Sequence, residues 1–268
     1  FDASFDERIS VVNLLISGLE VSFHKVSLNK MITDIWYDFL KKYKNGLEEN
    51  GYEQKECRDT AGIGQDGSIF ADMFEQKKIV FSFEVFPPKK TSSIQTIYDT
   101  LDALSDLNPD FISVTYGAGG NPADHSTVEI ASTIKHKYHI EPLAHLTCLN
   151  STKEHIGQVL DELRANEIEN ILALRGDRNP DVPPKTDYRY ARDLIEELNH
   201  HGEFDIAAAC YPEVHPECPD MEEDILHLKE KVDAGASHLI SQLFFDNNDF
   251  YNFLYRVREA GIMVPVEA

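Results

Sequence analysis

The sequence predicts an α/β chain whose parallel sheet curls into a (β/α)8 barrel of the TIM type, incomplete at its C-terminal end and preceded by an N-terminal extension. Three observations predict it. From residue 79 onward, short apolar runs alternate with amphipathic stretches at the spacing of βαβ units. Six such units and a seventh strand are present, which fits a barrel lacking its last part. No G-x-G-x-x-G follows the first strand, which removes the main signature of a dinucleotide-binding doubly wound sheet.

The strands read 79–85 (IVFSFEV), 110–116 (DFISVTY), 142–148 (PLAHLTC), 169–175, 205–211 (DIAAACY), 238–244 (HLISQLF) and 262–266 (IMVPV). Helices are expected near 93–106, 125–137, 152–166, 188–200, 220–234 and 247–260. Ser92 or Ser93 would cap the first, Ser151 the third and Asp220 the fifth, because a short oxygen-bearing side chain can take up an N–H left unpaired in a first helical turn. Residues 73–268 therefore form the barrel domain. Before it, residues 44–72 hold five of the fourteen glycines and read as a linker. Residues 1–43 pattern as helix, strand, helix.

Composition limits the partners. With 25 Lys and Arg against 47 Asp and Glu, the formal net charge is −22 and no basic stripe is present. Nucleic acid and anionic membranes are poor partners for such a surface. No apolar run reaches the ~20 residues a membrane-spanning helix needs. Cys57, Cys148, Cys210 and Cys218 show no C-x-x-C spacing and read as reduced thiols of a cytoplasmic protein. Cys210, Cys218, His215 and His227 fit no usual zinc template, so no metal is expected.

In a parallel barrel the C-terminal ends of the strands form the active face. Here those ends carry Glu84, then Thr115 and Tyr116, then His145 and Thr147. The later strands add Arg175-Gly176-Asp177, then Tyr211, Glu213 and His215, and finally Gln242. Side-chain alternation puts Ser82 and Glu84 on one face, opposite Phe81, Phe83 and Val85. The apolar trio would pack on the helices, with Glu84 in the lumen. The same alternation groups Ala173, Arg175 and Asp177, and the small "AAAC" run leaves room for a flat ligand. "YGAGGN" at 116–121 offers backbone N–H groups to a phosphate, or is simply a turn. Taken singly, each residue also has a structural reading: a surface charge, an Arg–Asp pair at a turn, a satisfied core histidine. Their concentration on one rim favours a site.

Seven motifs stand in the order and spacing of one family: "FSFEVFPPK", "FISVTYGAGG", "HLTC", "ILALRGD", "AAACYPEVHPE", "DILHLKEKVDAGA" and "SQLFFD". From about residue 73 to the last, the chain resembles the bacterial methylenetetrahydrofolate reductases. The resemblance implies a (β/α)8 barrel with FAD at its C-terminal rim, reducing 5,10-methylenetetrahydrofolate to 5-methyltetrahydrofolate with NADH or NADPH as donor. It implies that Glu84 is the general acid that protonates the folate N10 and opens the five-membered ring to an iminium cation, which takes hydride from the flavin. Asp177 matches the carboxylate beside flavin and pterin, and Gln242 a contact to folate and nicotinamide. Thr115, Tyr116, His145, Arg175, Gly176, Tyr188, Ala209, Tyr211, His215, Asp224 and Lys231 fall on or beside positions that hold FAD. An apolar, water-poor barrel mouth favours the protonated form of a carboxyl in general, which suits such an acid. Arg175 and Lys231 are suitable partners for a pyrophosphate.

The family continues beyond "VPVEA" with a further helix and an eighth strand and helix, so a C-terminally truncated barrel is expected. Phe23 to Lys30 (FHKVSLNK) loosely matches the family's eighth strand. Residues 1–43 thus read either as that last unit in permuted order or as an unrelated extension, and permutation requires a strand near 19–27 parallel to 79–85. Two other functional readings stay open: another FAD-dependent barrel oxidoreductase resembling proline dehydrogenase, and an inactive or binding-only barrel. Homo-oligomer formation is equally open.

Overall fold

The computed structural model describes residues 73–74, 77, 80–88, 94–116, 126–178 and 185–268, together with the backbone of Leu14–Leu15. The first strands and helices are β1 (Leu14–Leu15), β2 (Ser82–Val85), α1 (Gln95–Ser105), β3 (Phe111–Val114) and α2 (Ser126–Tyr138). They are followed by β4 (Glu141–Thr147), α3 (Lys153–Ala165), β5 (Asn170–Leu174), α4 (Ala191–His201) and β6 (Asp205–Cys210). The last are α5 (Met221–Asp233), β7 (His238–Ser241), α6 (Asn247–Glu259) and β8 (Val266–Glu267). Every neighbouring pair of strands is parallel, and the order across the sheet is the order along the chain. This is an incomplete α/β barrel.

The expected strands and helices recur within a few residues of their sequence positions, with informative exceptions. The last strand is Val266–Glu267 rather than 262–266, because Ile262 still belongs to the helix-end turn and donates its N–H to Val257. The third helix of the alternation, α3, is capped by Thr152 and not Ser151: Thr152 Oγ1 accepts from His155 N at 3.2 Å. Ser151 instead donates to Thr147 O at 3.0 Å and is buried. Asp220 caps α5 as expected, accepting from Glu223 N at 2.9 Å. Ser92 and Ser93 lie outside the described residues. So do 16–72, including the strand expected near 19–27 and the linker. The backbone that pairs in parallel with β2 is Leu14–Leu15, opposite Phe83 and Glu84.

Strand alternation divides the core into two layers. Phe83, Val85, Ile112, Ala144 and Ala208 face the helices and pack with Leu101, Leu160 and Val257. Phe74, Val80, Phe111, Leu143, Leu172, Ala207 and Ile240 form a second cluster inside the sheet. The barrel floor is therefore filled with side chains, as small parallel barrels require. Burying one such side chain stabilises the fold by about 1.5–3 kcal/mol. The parity expected for the fourth barrel strand needs correction. Ala173 belongs to the helix-facing layer and Leu172 and Leu174 to the inner one. β5 ends at Leu174 and Gly176 has φ +85°, so alternation stops before it can carry Arg175 and Asp177.

Two buried polar groupings sit in these layers. Ser82 on β2 donates to Glu267 Oε1 on β8, linking strands at opposite ends of the 80–268 sheet. At the N-terminal face, Ser237 Oγ donates to Asp205 and lies 3.1 Å from His238 Nδ1, with the Phe74 ring 5.4 Å from the imidazole. Burial lowers the His238 pKa below the ordinary 6.5, and Asp205 opposes that shift. The folded chain thus holds this imidazole neutral, whereas the unfolded chain takes up a proton as pH falls through 6.5. Stability attributable to His238 is complete above that value and declines below it. Urea-unfolding midpoints measured from about pH 7 to pH 5 should fall less steeply for His238→Gln than for the wild type. Parallel slopes would refute the assignment.

Candidate functional site

The C-terminal strand ends bring together Glu84, Ser113 and His145 from three adjacent strands. Glu84 Oε2 accepts from Ser113 Oγ at 3.3 Å and lies 3.3 Å from His145 Nε2. Glu84 retains 16% side-chain exposure and His145 7%, so the carboxylate is recessed but reachable from the mouth. His145 Nε2 is buried and, in spite of that proximity, has no aligned hydrogen-bond partner. Phe83 and Val85 point to the helices, so Glu84 does not interrupt the apolar strand.

Past β5, the chain turns at Gly176. A Cβ built there would lie 3.1 Å from Thr147 Cβ, so the backbone passes tightly over β4 and its positive φ suits glycine. Arg175 Nη1 and Nη2 contact Glu217 Oε2 and Oε1 at 2.7 and 2.8 Å, while Nε donates to Gly176 O at 3.2 Å. That fork holds the Glu217 carboxyl down at about 2 and raises the Arg175 guanidinium. Asp177 is exposed beside them.

The "YPEVHPE" segment follows β6. Tyr211 and His215 meet edge to face at 4.6 Å, and His215 N donates to Asp224 Oδ2 at 2.9 Å. Burial raises the Tyr211 phenol, as does the nearby Asp177 charge. Lys231 on α5 donates to Ala209 O at 2.6 Å, and desolvation lowers its pKa. Gln242 is exposed just past β7, its N–H bonded to Cys210 O at 2.8 Å.

Two expected residues stand apart from this set. Tyr116 turns to the helix side, its hydroxyl 3.1 Å from His155 Nε2. The Tyr188 ring is buried in the helix-facing core, where burial and then Glu197 raise its phenol. Thr115 is half-buried, its carbonyl accepting from Thr127 Oγ1 at 2.9 Å. Residues 117–125 and 179–184 lie outside the described residues, so the phosphate-binding reading of "YGAGGN" does too. Glu213 is exposed.

Sequence reasoning missed Ser113 and Glu217. Ser113 shares the inner face with Thr115 two positions on, so alternation could have found it. Glu217 closes a motif already singled out, but nothing in the spacing revealed that it would reach Arg175. Among the described residues no group of three or more His, Cys, Asp or Glu could hold a metal ion, and no helix is long and apolar enough to cross a membrane. Burial pushes the Cys148 and Cys210 thiols up to about 12, which makes them poor nucleophiles.

A sequence model described as methylenetetrahydrofolate reductase matches residues 69–268. The chain belongs to the methylenetetrahydrofolate reductase family. It is 41% identical over 191 residues to the 5,10-methylenetetrahydrofolate reductase of Pectobacterium carotovorum, covering 71% of this chain and 63% of that protein. The Escherichia coli reductase is 42% identical over 193 residues, with 71% and 64% covered. Methylenetetrahydrofolate reductase (NADH) 1 of Arabidopsis thaliana is 37% identical over 207 residues, with 72% and 35% covered. The chain thus spans less than two thirds of the length of these family members. Among solved structures, oxaloacetate acetylhydrolase superposes with a TM-score of 0.51 at 10% identity, covering 76% of this chain and 80% of that one. 2,3-Dimethylmalate lyase gives 0.52 at 12% identity, covering 76% and 70%. At such identities the likeness is one of barrel fold alone.

The residues at the mouth fit the FAD that the family resemblance implies. The Arg175 guanidinium and the Gly176 turn suit a diphosphate, and Ala207 and Ala209 keep the inner face of β6 small.

Proposed function

We propose that the chain is a cytoplasmic flavoprotein that reduces 5,10-methylenetetrahydrofolate to 5-methyltetrahydrofolate, with NADH or NADPH as electron donor. The observation that carries this reading is the recessed Glu84, held by Ser113 and close to His145 at the mouth of a barrel of this family. Glu84 would give its proton to N10 of the folate, opening the imidazolidine ring to an iminium cation. Asp177, exposed at the same rim, would stabilise that positive charge, and Gln242 would contact folate and nicotinamide in turn. Thr115, Ala209 and Tyr211 would line the flavin, while Arg175, His215 and Lys231 would hold its anionic portion. Tyr116 and Tyr188 would act from the surrounding shell. Bound FAD would supply hydride transfer between the two substrates.

The test uses the full chain. After reconstitution with FAD, the flavin absorbance should bleach on anaerobic addition of NADH or NADPH and return on addition of methylenetetrahydrofolate. Failure to take up FAD would refute the flavin reading. Bleaching without folate-dependent recovery would favour another FAD-dependent barrel oxidoreductase, and FAD uptake without bleaching the binding-only barrel.

A further inference from the structure

Glu217 is joined to two of the three basic groups proposed to hold the anionic portion of the flavin, Arg175 and His215. Its carboxylate spans the two terminal nitrogens of Arg175, and its backbone N–H donates to His215 Nδ1 at 3.0 Å. The second bond has a consequence for the imidazole. With Nδ1 accepting, the neutral ring carries its proton on Nε2, so His215 presents a donor on its other side. The fork and the Nε–H bond to Gly176 O together leave Arg175 two of its five N–H groups, one on each terminal nitrogen, for another anion. The loop is built to hold this arrangement. Val214 has φ +73°, a conformation unfavourable for a β-branched residue, and is retained between Val214 N→Tyr211 O at 3.2 Å and the Asp224 tie to His215. Arg178 Nε, 3.8 Å from Glu217 Oε2, adds a second cation on the same side.

We propose that Glu217 is a positioning residue of the cofactor site, setting the Arg175 guanidinium and the Nε2–H of His215 toward the diphosphate of a dinucleotide. The inference rests on the flavin reading above. It predicts a split between ligands: Glu217→Ala should weaken FAD about tenfold and leave riboflavin, which has no phosphate, unchanged. Glu217→Gln, which keeps one acceptor for the fork, should fall between. In an Arg175→Ala background, Glu217→Ala should have little further effect, because the carboxylate acts through that guanidinium.

Titration of each full-length variant with FAD, riboflavin and inorganic pyrophosphate reads the affinities. The 1H–15N signal of Arg175 Nε–H, assigned through Arg175→Lys, reads the positioning directly and should broaden in Glu217→Ala. An unchanged Arg175 signal would overturn the inference. Equal or tighter FAD binding by Glu217→Ala would also overturn it, since the carboxylate would then be a competitor for the fork. Equal losses for FAD and riboflavin would reduce Glu217 to a general structural role. A wild-type chain that takes up pyrophosphate but no FAD overturns the flavin reading alone, and the pyrophosphate comparison then decides this one.

Discussion

Glu84→Gln is expected to leave FAD uptake and bleaching by NADH or NADPH intact while folate-dependent reoxidation falls by at least about a hundredfold. General acids contribute roughly 10²–10⁴ to a rate, and glutamine cannot donate a carboxylic proton while nearly matching glutamate in shape. The surroundings make this a clean substitution. Ser113 Oγ can donate to an amide oxygen as it does to Glu84 Oε2, so the side chain keeps its anchor. The groups proposed to hold the flavin, among them Arg175, Lys231 and His215, lie between the end of β5 and α5 and make none of the described contacts to Glu84. Stopped-flow measurement of the two half-reactions separates the outcomes. Loss of both together would mean that Glu84 shapes the cofactor site, and retained folate turnover would end its assignment as the acid.

The barrel was readable because its signals are periodic. Alternation on 79–85 correctly sent Phe83 and Val85 to the helices, and the spacing of helical and strand patterns recovered the parallel order. Alternation is a property of extended backbone, and it failed where the backbone stopped being extended. Beyond Leu174 the Gly176 turn breaks the period, so Arg175 could not be placed by counting. The Glu217 fork was unreadable for a related reason. It joins positions 42 residues apart across two loops, and no local pattern encodes such a contact. The cap of α3 failed more narrowly: Ser151 and Thr152 are both good caps, and Ser151 was already engaged with Thr147 O.

Phe111→Ala is expected to cost about 4 kcal/mol of stability, within the 3–5 kcal/mol typical of emptying a buried phenylalanine site. Phe111 is 1% exposed and lies in the inner cluster with Leu143, Leu172 and Ile240, each held by a hydrogen-bonded strand of the sheet. Strands fixed in a parallel ladder cannot close easily on the vacated volume, so a cavity should persist. The same residue connects the floor to the chemistry. It pairs in register with Ser82 and stands two positions before Ser113, the donor to Glu84. Denaturant unfolding should therefore show the large loss in midpoint with little change in slope. In the folded fraction, folate-dependent reoxidation should fall more than flavin affinity, because the slackened strand carries Ser113 and not Arg175. A loss below about 1 kcal/mol would mean that the inner layer collapses freely, and that the rigidity of the mouth comes from the helix-facing layer instead.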